Sequence, residues 1–233
     1  MGGRIDCYLD IVSFYSWVGF ADLRQNLGKL AAHDVEVEFH PVFLGAINNL
    51  SGNKPPWFLP AKAVYLGADS RRAAERLGLP YGGSPKDLMS MAKTMSPLRA
   101  LHFIKANYPL ETFLSAFASL FHKTWTPPHV SLVDDANLEA ALAEATETPE
   151  GGRKLFTAED VKKIMEGREP MKERLKELTG EAVERGAFGT PWLWATNSEG
   201  QTESFFGSDR FNHIYRFLGI PFQDVAILPP SKL

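Results

Sequence analysis

The sequence predicts an α/β fold in which a mixed four-stranded sheet is assembled from the two ends of the chain and split by a large all-helical insertion. Three observations predict it. The first forty or so residues carry a strand, helix, strand pattern; the C-terminal quarter carries a hairpin followed by a helix; and the stretch 56–185 between them reads as capped helices.

Ile5 to Val12 is rich in β-branched and aromatic residues and reads as a strand, and behind it Trp17, Phe20, Leu23, Leu27 and Leu30 recur at helical spacing. Val35, Val37 and Phe39 then alternate with Glu36, Glu38 and His40, the period of a half-buried strand. These elements form a βαβ unit, whose strands should be parallel. The loop chemistry of Asn53-Lys54-Pro55-Pro56 closes this first half, residues 1–55.

No strand is expected in 56–185. Ser84-Pro85 and Ser96-Pro97 each place a cap residue before a proline suited to the first helical position. Leu110, Phe113, Leu114, Phe117, Leu120 and Phe121 form one apolar stripe, Thr157 with Asp160 suggests a capping box, and the polar, Gly- and Pro-containing stretch Thr146 to Gly152 is expected to be a flexible loop.

In the second half, 186–225, Trp192 to Thr196 and Thr202 to Phe206 flank Asn197-Ser198-Glu199-Gly200 as a hairpin. Ser208 is expected to cap a last helix carrying Phe211, Ile214, Tyr215 and Leu218, stopped by Gly219 and Pro221. Residues 226–233 form a tail. The order βαβ, helical insertion, ββα is that of the thioredoxin fold.

Composition narrows the function. With 233 residues, 44% apolar and 23% charged, the chain can bury a sizeable core; a net charge of -3 without a basic stripe argues against a nucleic-acid partner. The single cysteine, Cys7, excludes an internal disulfide, a CxxC redox pair and a cysteine-rich zinc cluster. The six histidines lack metal-ligand spacing, so no metal is expected, and no GxSxG elbow surrounds any serine. No apolar run approaches a membrane span and the N-terminal residues lack an h-region, so neither a membrane partner nor a secretory signal is expected. The last residues, Ser231-Lys232-Leu233 behind Pro229-Pro230, spell a peroxisomal address, which implies an import receptor as partner.

Three distant segments carry candidate chemistry, because in such a sheet the strand ends that precede helices share one edge. Ser13-Phe14-Tyr15-Ser16-Trp17 stands where the first strand turns into the first helix; N–H groups and the helix dipole there favour a thiolate, and the Ser13 hydroxyl adds a donor. Taken alone, a serine at this place is more often a plain cap. Gly186-Ala187-Phe188-Gly189-Thr190-Pro191 places a proline at a strand start; in thioredoxin-like sheets that proline is cis and the backbone of the preceding residue, here Thr190, pairs with a peptide-like ligand. In Phe206-Gly207-Ser208-Asp209-Arg210, the Ser208 hydroxyl suits a carboxylate and Asp209 an ammonium, the two charges of an amino-acid head group.

Val12-Ser13-Phe14-Tyr15-Ser16-Trp17-Val18-Gly19-Phe20, Ser51-Gly52-Asn53-Lys54-Pro55-Pro56 and the two C-terminal segments just quoted resemble, in register, segments of the kappa-class glutathione transferases. The resemblance implies a DsbA-like thioredoxin domain with a helical insertion, homodimers, and a mitochondrial or peroxisomal setting. It implies glutathione as co-substrate with no other cofactor, and a small electrophile as second substrate. It makes Ser13 the catalytic hydroxyl with Phe14 and Tyr15 beside the thiol, Asn53 a glutathione contact, Thr190 the partner of its cysteinyl backbone, and Ser208 with Asp209 the holders of its γ-glutamyl head. Lys54 and Lys62 are candidates for the glycyl carboxylate. One departure stands out: Phe14 occupies a position where mammalian members have proline, which bears on the shape of the electrophile pocket.

The sequence leaves rival readings. A glutathione-dependent isomerase of the 2-hydroxychromene-2-carboxylate type resembles this family in fold and in its serine. A non-catalytic glutathione-binding or peroxisomal interaction module is a second rival, with the cytosol as a further location. A thiol oxidoreductase fits less well, because Ser13 and Ser16 stand where that chemistry needs two cysteines.

Overall fold

The computed structural model describes residues 2–225. Strand β1 (Gly3–Leu9) turns into α1 (Phe14–Ala31) and the chain returns as β2 (Val35–Pro41). After α2 (Leu44–Ser51) and a 3-10 turn at Pro56–Phe58 come α3 (Pro60–Leu77), α4 (Leu88–Met91), α5 (Met95–Asn107), α6 (Leu110–Trp125) and α7 (Asp135–Glu144). A short hairpin of β3 (Thr146–Thr148) and β4 (Gly151–Lys154) precedes α8 (Ala158–Gly167), a 3-10 turn at Glu169–Met171 and α9 (Lys172–Glu184). The second half of the fold is β5 (Trp192–Asn197), β6 (Thr202–Phe206) and α10 (Phe211–Phe217).

The main sheet has the order β2-β1-β5-β6. β1 lies parallel to β2, with Cys7 opposite Phe39, and antiparallel to β5, with Cys7 opposite Leu193. The central strand therefore needs partners from both ends of the chain, and neither half can complete the sheet alone. This is the thioredoxin arrangement that the order of elements predicted.

Alternation along β1 assigns its two faces. Ile5, Cys7 and Leu9 enter a core shared with α1, α5 and α6, while Tyr8 joins Ile47, Leu178, Ala182 and Trp192 beneath α2 and α9. On the first face the Phe20 ring lies 5.2 Å from Phe117 and 5.5 Å from Phe121. Fully burying a phenylalanine contributes about 1.5–3 kcal/mol. The apolar stripe of α6 thus packs the insertion onto α1 in one continuous core.

Several local expectations change. The 146–154 segment pairs as a hairpin, with Thr146 opposite Lys154 and Thr148 opposite Gly151. Strands of three and four residues are too short to show a period of two, so the turn residues dominate the pattern. Ser84-Pro85 lies in non-helical chain, and α4 starts after Asp87. Thr94 is the N-cap of α5, which places Ser96-Pro97 inside the first turn; the Thr94 hydroxyl makes no cap bond because it donates to Asp10 Oδ2 at 2.9 Å. Ser208 is likewise not a cap, since α10 begins at Phe211 behind Arg210. The Thr157–Asp160 capping box is present in full. Among the described residues no helix is long and apolar enough to cross a membrane, and Ser231-Lys232-Leu233 lies outside them.

Candidate active site

The turn that carries Ser13 is fixed from below by Asp10, which is 0% exposed. Its carbonyl accepts the Ser13 N–H at 3.0 Å, and its carboxylate accepts the N–H of Val12 at 3.1 Å, the N–H of Leu44 at 2.8 Å and the Thr94 hydroxyl. One side chain therefore ties the end of β1 to the starts of α2 and α5. Burial pushes the Asp10 carboxyl up to about 6, against these hydrogen bonds, which favour the charged form.

Ser13 is the N-cap of α1, with extended backbone (φ -90°, ψ 113°), and its Oγ accepts the Ser16 N–H at 3.2 Å. The same Oγ donates to the Thr190 carbonyl at 2.9 Å. The N–H groups of Phe14 and Tyr15, at the first two helical positions, have no intrahelical acceptor, and the α1 dipole adds positive potential there. An anionic sulfur at this point would be met by that potential and by a hydroxyl.

The peptide before Pro191 is cis, and among the described residues no acceptor faces the Thr190 N–H. The Pro191 carbonyl accepts the Gly207 N–H at 3.1 Å, which brings the Ser208 segment to the same edge. Gly19 makes this approach possible: a Cβ there would stand 3.3 Å from Pro191 and 3.7 Å from the Ser208 Cβ. Asn53 joins from the loop after α2, donating through Nδ2 to the Phe188 carbonyl at 2.6 Å while its Oδ1 accepts the Lys54 N–H. The structure so gathers Ser13, Thr190, Ser208 and Asn53 around one edge of the sheet. Asp209 is exposed, ion-paired with Arg210, and lines with Ser208, Asp22, Arg76 and Tyr215 a cavity of about 790 Å³ beside α1.

The rings of Phe14 and Tyr15 take other roles. Phe14 is 6% exposed and packs 4.4 Å from Tyr81 and 5.4 Å from Trp125, so its side chain belongs to the seam with the insertion. The Tyr15 hydroxyl donates to Asp69, and burial together with that carboxylate raises its pKa above the usual tyrosine value. Asp22 pairs with Arg76 at 2.6 Å, and both contacts join residues 54 apart, so α1 and α3 run parallel with their N-termini at the same end. Lys62 is exposed near the start of α3, and the Lys54 ammonium sits 6.0 Å from the Phe58 ring. Between α3 and residues 81–90 a groove of about 1140 Å³ is walled by Trp57, Gly67, Arg71, Tyr81 and Met89.

Asp6, Glu38 and His40 bring three ligand-type atoms within 4.8 Å of one another. Arg4 pairs with Asp6 and Glu38, Lys105 with Glu38, and Arg185 with Asp6, so side chains already meet the charge a cation would neutralise. Asp10 was not singled out from sequence. Its signal was an acid inside the apolar run Leu9, Ile11, Val12, directly before the helix.

Residues 4–219 match the DSBA-like thioredoxin domain family. The chain is 29% identical over 220 residues to glutathione S-transferase kappa 1 of Caenorhabditis elegans, covering 94% of this chain and 92% of that protein. To glutathione S-transferase kappa 1 of Homo sapiens it is 30% identical over 220 residues, covering 92% and 90%. Among solved structures it is similar in fold to a 2-hydroxychromene-2-carboxylate isomerase, with a TM-score of 0.69 and 20% identity over 93% of this chain and 94% of the other.

Proposed function

Since the chain belongs to the kappa-class glutathione S-transferases within the DSBA-like thioredoxin domain family, we propose that it ionises the thiol of reduced glutathione at Ser13 and conjugates it to a small electrophile. The observation that carries this reading is the Ser13 hydroxyl, donating to the Thr190 carbonyl at a helix start whose next two N–H groups are free of intrahelical partners.

That bond suggests how binding and activation are joined. When the cysteinyl backbone of glutathione pairs with Thr190, its N–H becomes the donor to the Thr190 carbonyl. The Ser13 O–H is then released and turns to the sulfur. The thiol proton leaves to solvent, and the thiolate is held by the hydroxyl and by the N-terminal potential of α1. Lowering a thiol from about 8.5 by about two units makes most of it thiolate near neutral pH, at about 1.4 kcal/mol per unit. The sulfur then donates an electron pair to the electrophilic carbon, forming the C–S bond. The leaving group departs with its own bonding pair, or, in an addition, the resulting carbanion takes a proton from water.

Asn53 would hold glutathione beside Thr190, Ser208 and Asp209 its γ-glutamyl head, and Lys54 or Lys62 its glycyl carboxylate. Phe14 and Tyr15 contribute through backbone N–H groups, since their rings are engaged elsewhere. The groove walled by Trp57 and Tyr81 offers apolar surface for the electrophile. Phe58, Leu59 and Val64 are 63%, 54% and 82% exposed, apolar surface that a homodimer would cover. Ser231-Lys232-Leu233 is proposed as a peroxisomal address, which a fluorescent fusion with and without the tripeptide would test.

The decisive experiment titrates the thiolate absorbance of bound glutathione in the wild-type protein and in Ser13→Ala, with product analysis using an activated aryl halide and a chromene carboxylate. A lowered midpoint that depends on Ser13, with conjugate formed, supports transfer. An identical midpoint in the two proteins leaves only a glutathione-binding module, and turnover of the chromene alone makes the protein an isomerase.

A further inference from the structure

The Ser16 hydroxyl is stranded. The residue is 0% exposed, yet among the described residues its Oγ has no hydrogen-bond partner. Leaving a buried hydroxyl unpaired is destabilising, whereas alanine at a helical position carries neither this cost nor a propensity penalty. Serine here is unfavourable for the fold by itself.

Its surroundings point to a use. Ser16 is the third residue of α1, and its own N–H is held by Ser13 Oγ at 3.2 Å, so its Cβ stands one turn beyond the Ser13 hydroxyl on the same side of the helix. Rotation about its single side-chain torsion sweeps Oγ across that side. Ser13 Oγ is at present occupied as a donor to Thr190 and as an acceptor from the Ser16 N–H, which leaves it one lone pair.

We propose that in the glutathione-bound protein Ser16 is a positioning residue whose hydroxyl donates to Ser13 Oγ, so that two hydroxyls form a chain ending on the thiolate. The proposal rests on the reading of Ser13 as the donor to sulfur. Both protons stay on their own oxygens, and no bond is made or broken. A hydroxyl that accepts a hydrogen bond is a stronger donor, so the chain strengthens the Ser13 contact when the sulfur carries charge. In that arrangement Ser16 has the partner it otherwise lacks.

The test is a double-mutant cycle on the bound-thiol midpoint, with Ser16→Ala, Ser13→Ala and the double variant, alongside thermal unfolding and the dissociation constant for glutathione. Ser16→Ala is expected to raise the midpoint by about half a unit, to leave glutathione affinity within twofold, and to keep or raise the melting temperature. In the Ser13→Ala background the same change should do nothing to the midpoint. An unchanged midpoint in Ser16→Ala overturns the chain, and an effect that persists in full without Ser13 shows direct contact with sulfur and overturns it too. Ser16→Thr keeps the hydroxyl and is expected to restore the wild-type midpoint. If it titrates like the alanine variant, the hydroxyl plays no part. A wild-type midpoint equal to that of free glutathione would instead sink the function proposed for Ser13, which is a separate result.

Discussion

Ser13 Oγ donates to the carbonyl oxygen of Thr190 at 2.9 Å, across 177 positions of sequence. The bond joins the start of the first helix to the residue before the cis proline, and it engages both the hydroxyl proposed to meet the thiol and the carbonyl proposed to meet the glutathione backbone.

Ser13→Ala removes the donor while the helix terminus remains. The bound-thiol midpoint should rise by about one unit and kcat/KM should fall about 10- to 100-fold, with glutathione affinity changed much less. Stopped-flow thiolate absorbance and steady-state kinetics measure these together. A tenfold loss of affinity with an unmoved midpoint would make Ser13 a binding residue only.

Thr190→Val tests whether Thr190 works through its main chain. Its Oγ1 is buried without a partner among the described residues, and valine has nearly the same shape, so the variant should keep its activity within about twofold and unfold at the same or a higher temperature. A large fall in kcat would place the hydroxyl in the chemistry.

Phe14→Ala should act on the fold. The ring is buried between Tyr81 and Trp125, and truncating a core phenylalanine costs about 3–5 kcal/mol. Urea unfolding should show that loss, while glutathione binding by the folded fraction stays near wild type. A small stability change with a large change in electrophile preference would move the ring into the substrate pocket.

Asp10 makes stability pH-dependent in a stated direction. Its carboxyl is raised from 3.8 to about 6 in the fold by burial. Between those values the folded chain keeps a proton that the unfolded chain has lost, so stability falls as pH rises through the window. The contribution is fully present below 3.8, gone above about 6, and about 3 kcal/mol between the limits. The difference in unfolding free energy between wild type and Asp10→Asn should shrink or reverse by that order from pH 4 to pH 7.5. A difference that stays flat across the window would show Asp10 charged throughout.

The sequence by itself determined the order of the elements that build the main sheet and two of its junctions, at Ser13 and at Thr190-Pro191. Hydrophobic periods of two and 3.6 marked β1, α1, β2 and the β5–β6 hairpin, and proline and glycine punctuation marked the Thr190-Pro191 turn, because these signals are local and repeat within a few residues. The same locality put Ser13 at a helix start.

Tertiary structure decided which of the neighbouring side chains face the site. Phe14 and Tyr15 adjoin Ser13 in sequence, but the helical twist turns their rings toward Tyr81 and Asp69, on segments no local pattern could place. Ser208 reads as a helix cap, but the positive φ of Gly207 (98°) starts a turn that sets the helix two residues later, so that Gly207 bonds Pro191 and Ser208 lies beside Gly19. The part of Asp10 and the unpaired hydroxyl of Ser16 emerged only with the fold. What distinguishes them is burial and the presence or absence of a hydrogen-bond partner, which depends on contacts across the whole chain and not on the residues beside them.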